Sequence, residues 1–216
     1  MAKKTMWHDD YWLMLMQIYL RRPVGIKAVY SHLMVDLSLE LHIPPQSLYK
    51  RMEQIARLDT PRIERIWKTY SASPKRLARA VSLLREMKGF GAADEFYEGV
   101  EIQESFECDF RPLAEDSRFT PMMLILILDL YFQLTPATMV VATPEVVGLA
   151  RLIGLKASDI VEVLDVFQIC DPYLERNEVT FSPLLLPCQH VWQRMSDKEP
   201  PQLHAIAEEL KEYFLK

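Results

Sequence analysis

Five Ser/Thr-Pro pairs punctuate this chain: Thr60-Pro61, Ser73-Pro74, Thr120-Pro121, Thr143-Pro144 and Ser182-Pro183. A hydroxyl just before a helix can accept a bond from an unpaired amide of the first turn. Proline in the first helical position has no amide to leave unpaired, and its ring torsion already suits a helix. After each pair, apolar residues recur at helical spacing, so the chain is expected to fold mainly as short α-helices. The periodicity predicts them near 9–21, 34–42, 45–57, 61–70, 74–88, 121–134, 144–153, 158–169, 185–195 and 201–214, with Gly89 closing the fifth. Only Val179-Thr180-Phe181, after the turn-prone Arg176-Asn177, alternates as a strand would, which predicts one small β-hairpin within 173–184.

Charge divides the chain. Residues 1–90 hold 16 Lys and Arg against 8 Asp and Glu, a net +8; the rest hold 9 against 22, a net −13, giving −5 in all. From Val100 to Phe119 the helical pattern fades and charge rises, which predicts a basic domain at 1–105 and an acidic one at 106–216. With 216 residues, half of them hydrophobic, each has enough chain for its own core. The run from Met122 to Leu134, interrupted by Asp129, is short of the roughly 20 residues a bilayer requires. It is expected as a core helix rather than part of a subunit interface, with a partner for Asp129. Tyr11 to Leu20 lacks a basic leader and a small-residue cleavage site, so no signal peptide is expected. Cys108, Cys170 and Cys188 stand far apart with no C-x-x-C spacing, as free thiols of a cytoplasmic protein would.

The stretch "DLSLELHIPPQSLYKRMEQI", 36–55, has the spacing of two helices crossing at a short turn. Leu37 and Leu41 supply the inner face of the first helix, Ser38 is small enough for a close crossing, and Ile43 fills the turn. Leu48, Met52 and Ile55 share one face of the second helix. The stretch resembles the helix-turn-helix superfamily of bacterial transcription regulators, with two departures: His42 stands where glycine is usual, and Pro44-Pro45 opens the second helix. The resemblance implies that helix 45–57 enters the major groove of double-stranded DNA, with Gln46, Ser47 and Lys50 reaching base edges. Arg51, Arg57, Arg62, Arg65, Lys75, Arg76 and Arg79 would then contact phosphates. Glu53 lies on the same outer side and would be repelled unless Lys50 or Arg57 pairs with it. The alternative is a helical corner that never meets nucleic acid.

"GLARLIGLKASDIVEVLDVF", 148–167, matches the same superfamily spacing more closely: Ala150 at the crossing, Gly154 in the turn, Leu155 after it, Ile160 and Leu164 inside. With the expected hairpin as a wing, this half resembles a winged helix. Its outer face carries Asp159, Glu162 and Asp165, which duplex phosphates would repel. Protein contact or dimerisation, or a purely structural role, suits it better. Two pattern matches leave open whether the chain repeats one unit.

Other motifs carry less. His8, Asp9 and Asp10 do not face one point on a helix, and no other histidine stands at ligand spacing, so no metal is expected. "GFGAAD" at 89–94 lacks a third glycine and a preceding strand, which argues against a dinucleotide loop. Glu95 and Glu98 are expected on a solvated acidic face rather than as a catalytic pair. With no nucleophile–base arrangement or phosphate loop, neither enzyme activity nor a cofactor is expected. The phrases "HDDYWLMLMQIYL", "VDLSLELHIPP", "FYEGVE", "MLILILDLYF" and "DVFQICDPYL" make the whole chain similar to an uncharacterised bacterial protein family without an assigned activity. The preferred expectation is a DNA-binding regulator, acting as a homodimer or with a protein partner through its acidic half. The alternative is a non-enzymatic adaptor built from the same helical pairs.

Overall fold

A computed structural model describes residues 7–87, 90, 106–174 and 182–215. The chain divides into two compact units, Met1–Ile102 and Gln103–Lys216. The first contains α1 (Tyr11–Tyr19), α2 (His32–Leu41), α3 (Pro45–Arg57), α4 (Pro61–Tyr70) and α5 (Pro74–Arg85). The second contains α6 (Pro121–Gln133), α7 (Pro144–Ile153), α8 (Ala157–Cys170), α9 (Leu185–Met195) and α10 (Pro200–Lys211), with short 3-10 turns at Phe106–Phe110 and Pro136–Thr138. Among the described residues the fold is wholly helical, without strands. The strand residues of the expected hairpin, Val179 to Phe181, lie outside the described residues, as do Gly89 and the Glu95/Glu98 and "GFGAAD" stretches beyond Phe90.

The Ser/Thr-Pro punctuation holds at α4, α5, α6 and α7, each of which begins on the proline of its pair. The hydroxyls behave less uniformly. Thr60 and Thr120 accept the amides of Ile63 and Met123, whereas Ser73 and Thr143 make no such bond. The Thr143 hydroxyl is drawn back to the Thr138 carbonyl instead. Ser182-Pro183 makes a turn ahead of the helix: the Ser182 hydroxyl accepts the Leu184 amide, and α9 begins at Leu185.

In the first unit α1 is the hub, packing on α2, α3, α4 and α5. Its sequence YWLMLMQIY is apolar nearly all round, as a helix with neighbours on most sides must be. Trp12, Met14, Leu15, Met16 and Ile18 are buried against Leu37, Leu41, Leu48, Met52, Ile55, Ile63, Leu77 and Val81. In the second unit α6 packs in the same way on α7, α8, α9 and α10. It buries Met122, Leu124 to Leu128, Leu130 and Tyr131, so this helix is core. Asp129 is buried with them, and its carboxylate accepts the Gln133 amide at 2.8 Å and lies 3.1 Å from His204 Nδ1 on α10. The partner that burial of a carboxylate requires is therefore present.

The two units repeat one order of five helices around a central apolar helix. A constant shift of 112 positions carries α2 onto α7 (32 to 144, 41 to 153) and the start of α3 onto that of α8 (45 to 157). The same shift carries α1 into α6, Tyr19 falling on Tyr131. Shifts of 125 and 126 relate α4 to α9 (67 to 192) and α5 to α10 (74 to 200, 85 to 211). Buried positions coincide: Leu48 with Ile160, Met52 with Leu164, Leu77 with Leu203, Val81 with Ala207. Tyr19 meets Trp67 edge-on with ring centroids 5.8 Å apart, and Tyr131 meets Trp192 in the same way at 5.8 Å. The extra length of the second unit lies between α8 and α9, at 171–184.

Candidate nucleic-acid interface

The first helix pair turns at His42, which takes the left-handed conformation, φ 54° and ψ 36°. Its amide and that of Ile43 both return to the Ser38 carbonyl, the latter at 3.1 Å. Ser38 is fully buried at the crossing, and its hydroxyl donates to the Ile43 carbonyl. The second pair is built identically: Gly154 has φ 76°, and the amides of Gly154 and Leu155 return to the Ala150 carbonyl, Leu155 at 2.9 Å. Both corners thus share one backbone geometry, closed in the first by a histidine and in the second by a glycine.

On α3 the inner residues Leu48, Met52 and Ile55 are buried, which leaves Gln46, Ser47, Lys50 and Arg57 exposed on the outer side. The Gln46 amide nitrogen donates to the Tyr30 hydroxyl, so the start of α3 is tied to the segment before α2. Glu53 finds Arg57 at 3.9 Å, a loose surface pair that offsets its charge without removing Arg57 from solvent. Lys50 forms no ion pair among the described residues.

The remaining expected phosphate contacts separate into two groups. Arg51 is half-buried, its guanidinium 4.8 Å from the Trp7 ring centroid and 5.5 Å from that of Trp12. It stitches α3 to the start of the unit by cation–π contact. Arg62 pairs with Asp9 at 2.9 Å. Arg65 is exposed, with Nε donating to the Pro61 carbonyl, and Arg76 lies over the Tyr70 ring at 5.5 Å. Lys75 and Arg79, one turn apart on α5, are exposed and without ion pairs among the described residues. The structure therefore gathers Gln46, Ser47 and Lys50 on one face of α3, which also carries Arg51 and Arg57, and places Arg62, Arg65, Lys75, Arg76 and Arg79 on α4 and α5, which pack on each other and on α1.

On α8 the positions of Gln46, Ser47 and Lys50 are taken by Ser158, Asp159 and Glu162. Arg118 reaches both carboxylates, at 2.7 Å from Asp159 and 3.4 Å from Glu162, and pairs with Asp116 at 2.6 Å. Its hydrogen bonds hold the Asp116 carboxyl below the usual carboxylate range. Asp159 is further committed to its own helix, accepting the Lys156 amide at 3.0 Å. This acidic face, bridged by an arginine of its own unit, would repel a duplex.

Among the described residues no three His, Cys, Asp or Glu side chains are placed to hold a metal ion, and no helix is long and apolar enough to cross a membrane. Compared with protein-family models, curated proteins and solved structures, the chain matches none of them.

Proposed function

We propose that this chain is a non-enzymatic, duplex-DNA-binding protein of the regulator type, with α3 as the helix that enters the major groove. Gln46, Ser47 and Lys50 would meet base edges, while Arg57, Arg65, Lys75 and Arg79 would hold the backbone. Arg51, Arg62 and Arg76, engaged with Trp7 and Trp12, Asp9, and Tyr70, would contribute to the field more than to direct contacts. The acidic unit, a helix-turn-helix relative with the 171–184 segment where a wing would lie, would assemble a dimer or receive a partner protein. A single module buries only about 600–1,000 Å² on DNA, too little for tight operator binding alone, which favours two copies.

The observation that carries this reading is the internal comparison. The same helix order occurs twice, and the helix pair forms without cations at these places: Glu162 stands where Lys50 does, and Ile169 where Arg57 does. The basic residues of α3 therefore reflect something other than packing. Fluorescence anisotropy of a labelled random-sequence duplex against the full chain, from about 50 to 200 mM salt, tests it. Micromolar binding with a steep salt dependence, weakened by Lys50→Ala and Arg57→Ala, is the expected result. No binding at the low-salt end would leave the adaptor reading, which the commitment of Arg51 and Arg62 to neighbours in their own unit already favours.

A further inference from the structure

The segment from Arg21 to Lys27, between α1 and α2, is a closed loop with its own internal bonds. Lys27 Nζ donates to the Arg21 carbonyl at 2.8 Å and to the Pro23 carbonyl, drawing the loop into a ring. The Gly25 amide returns to the Tyr19 carbonyl at 3.0 Å, and Gly25 itself has φ 140°, a conformation that side chains rarely adopt. The ring leaves Arg21 and Arg22 exposed, and neither makes an ion pair among the described residues.

Two contacts seat this loop against α3. The Lys27 amide lies 3.2 Å from Met52 Sδ on the inner side of α3. Three residues on, Tyr30 accepts the bond from Gln46 at the start of the same helix. The internal repeat then separates what the fold needs from what it carries. At the matching places the second unit has Gln133, Leu134 and Met139 for Arg21, Arg22 and Lys27, and it still builds the same helix pair. Neither the arginine doublet nor the lysine that closes the ring is required for the corner to form.

We propose that Arg21 and Arg22 form a second phosphate-binding element beside α3, gripping the backbone of a DNA duplex whose major groove α3 occupies. Lys27 would not touch DNA: its ammonium is spent on the loop's carbonyls, so its part is to hold the two arginines in place. Two guanidiniums on a closed loop lose less freedom on binding than two on an open one. The inference rests on the duplex reading of α3 given above.

The test compares three forms of the full chain on one labelled duplex, with affinity followed from about 50 to 200 mM salt. Each phosphate contact contributes about 0.9 to the slope of log affinity against log salt, so removing two lowers the slope by about 1.8. Over that salt range, the fall in affinity of the Arg21→Ala/Arg22→Ala protein should be smaller than that of wild type by about 12-fold. Arg151→Ala/Lys198→Ala removes two exposed charges from the second unit and controls for net charge; it should keep the wild-type slope. An unchanged slope in the Arg21/Arg22 variant, with Lys50→Ala still weakening binding, overturns this inference and spares the α3 reading. An equal loss of slope in the control also overturns it, because net charge alone would then explain the effect. Absence of binding by wild type overturns both.

Discussion

Lys50 on α3 and Glu162 on α8 hold the same position in two matched helix pairs, each exposed on the outer side of the second helix. Opposite charges at matched sites separate stability from recognition. Lys50→Glu, written from the second unit's own choice, should change unfolding free energy by no more than about 0.5 kcal/mol, as exposed substitutions usually do. Glu53 lies three positions on and adds some repulsion, which stays within that range at an exposed site. Duplex binding should fall by at least about tenfold, since an attractive group becomes a repulsive one. Urea unfolding and anisotropy on the same preparation check this, and a large loss of stability would show that Lys50 has a structural role.

The turn positions make a reciprocal pair. His42 and Gly154 both adopt the left-handed conformation, which costs an ordinary side chain roughly 1 kcal/mol and glycine very little. His42→Gly is therefore expected to be neutral or mildly stabilising. Gly154→Ala should cost about 1 kcal/mol although the added carbon would meet no packed neighbour within 4 Å, because the penalty is in the backbone. Denaturant midpoints at constant m-value measure both.

Asp129 offers a sharper test of burial. Asp129 is 4% exposed, and its carboxylate is held by Gln133 and His204, so removal of the imidazole leaves a buried acceptor underserved. His204→Ala should cost about 1–3 kcal/mol. Asp129→Gln installs the residue found at the matching place on α1, Gln17. It should lower the penalty of the second change when combined with His204→Ala, a non-additivity that a double-mutant cycle reads directly.

Much of this architecture is legible in the sequence because it is written locally. Proline after Ser or Thr marks where helices begin, and apolar spacing marks which side turns inward. The prolines of α4 and α7 mark their starts, and apolar spacing alone places α3 and α9, so these four occupy 61–70, 144–153, 45–57 and 185–195, the spans the sequence predicts. Long-range partners are not written locally. Nothing near Arg51 announces Trp7 and Trp12, and nothing near Arg118 announces Asp159, 41 positions away. The repeat was hidden for a related reason: its copies share burial rather than identity, with Met, Leu, Ile and Val exchanging freely at matched core sites such as Met52 and Leu164. Arg21 and Arg22 follow the apolar run of α1 in the sequence, and the role proposed for them above rests on the seating of their loop against α3.

Cysteine reactivity provides a last, independent check on the second unit's core. Burial pushes the Cys170 thiol up to about 11, and burial followed by the proximity of Cys170 pushes Cys188 higher still. The thiolate is the reactive form, so at pH 8 each presents little of it, and Cys188 is also closed to reagent. In the native chain a disulfide reagent at pH 8 should modify these two slowly, with rates that rise steeply in denaturant. Cys188 occupies the place that Ile63 fills in the first unit, the position of a core hydrophobe. Cys188→Ala should consequently cost about 1 kcal/mol by opening a small cavity on α9. Rapid labelling of Cys188 in the native state would mean that α9 opens from its unit far more readily than a fully buried core residue permits.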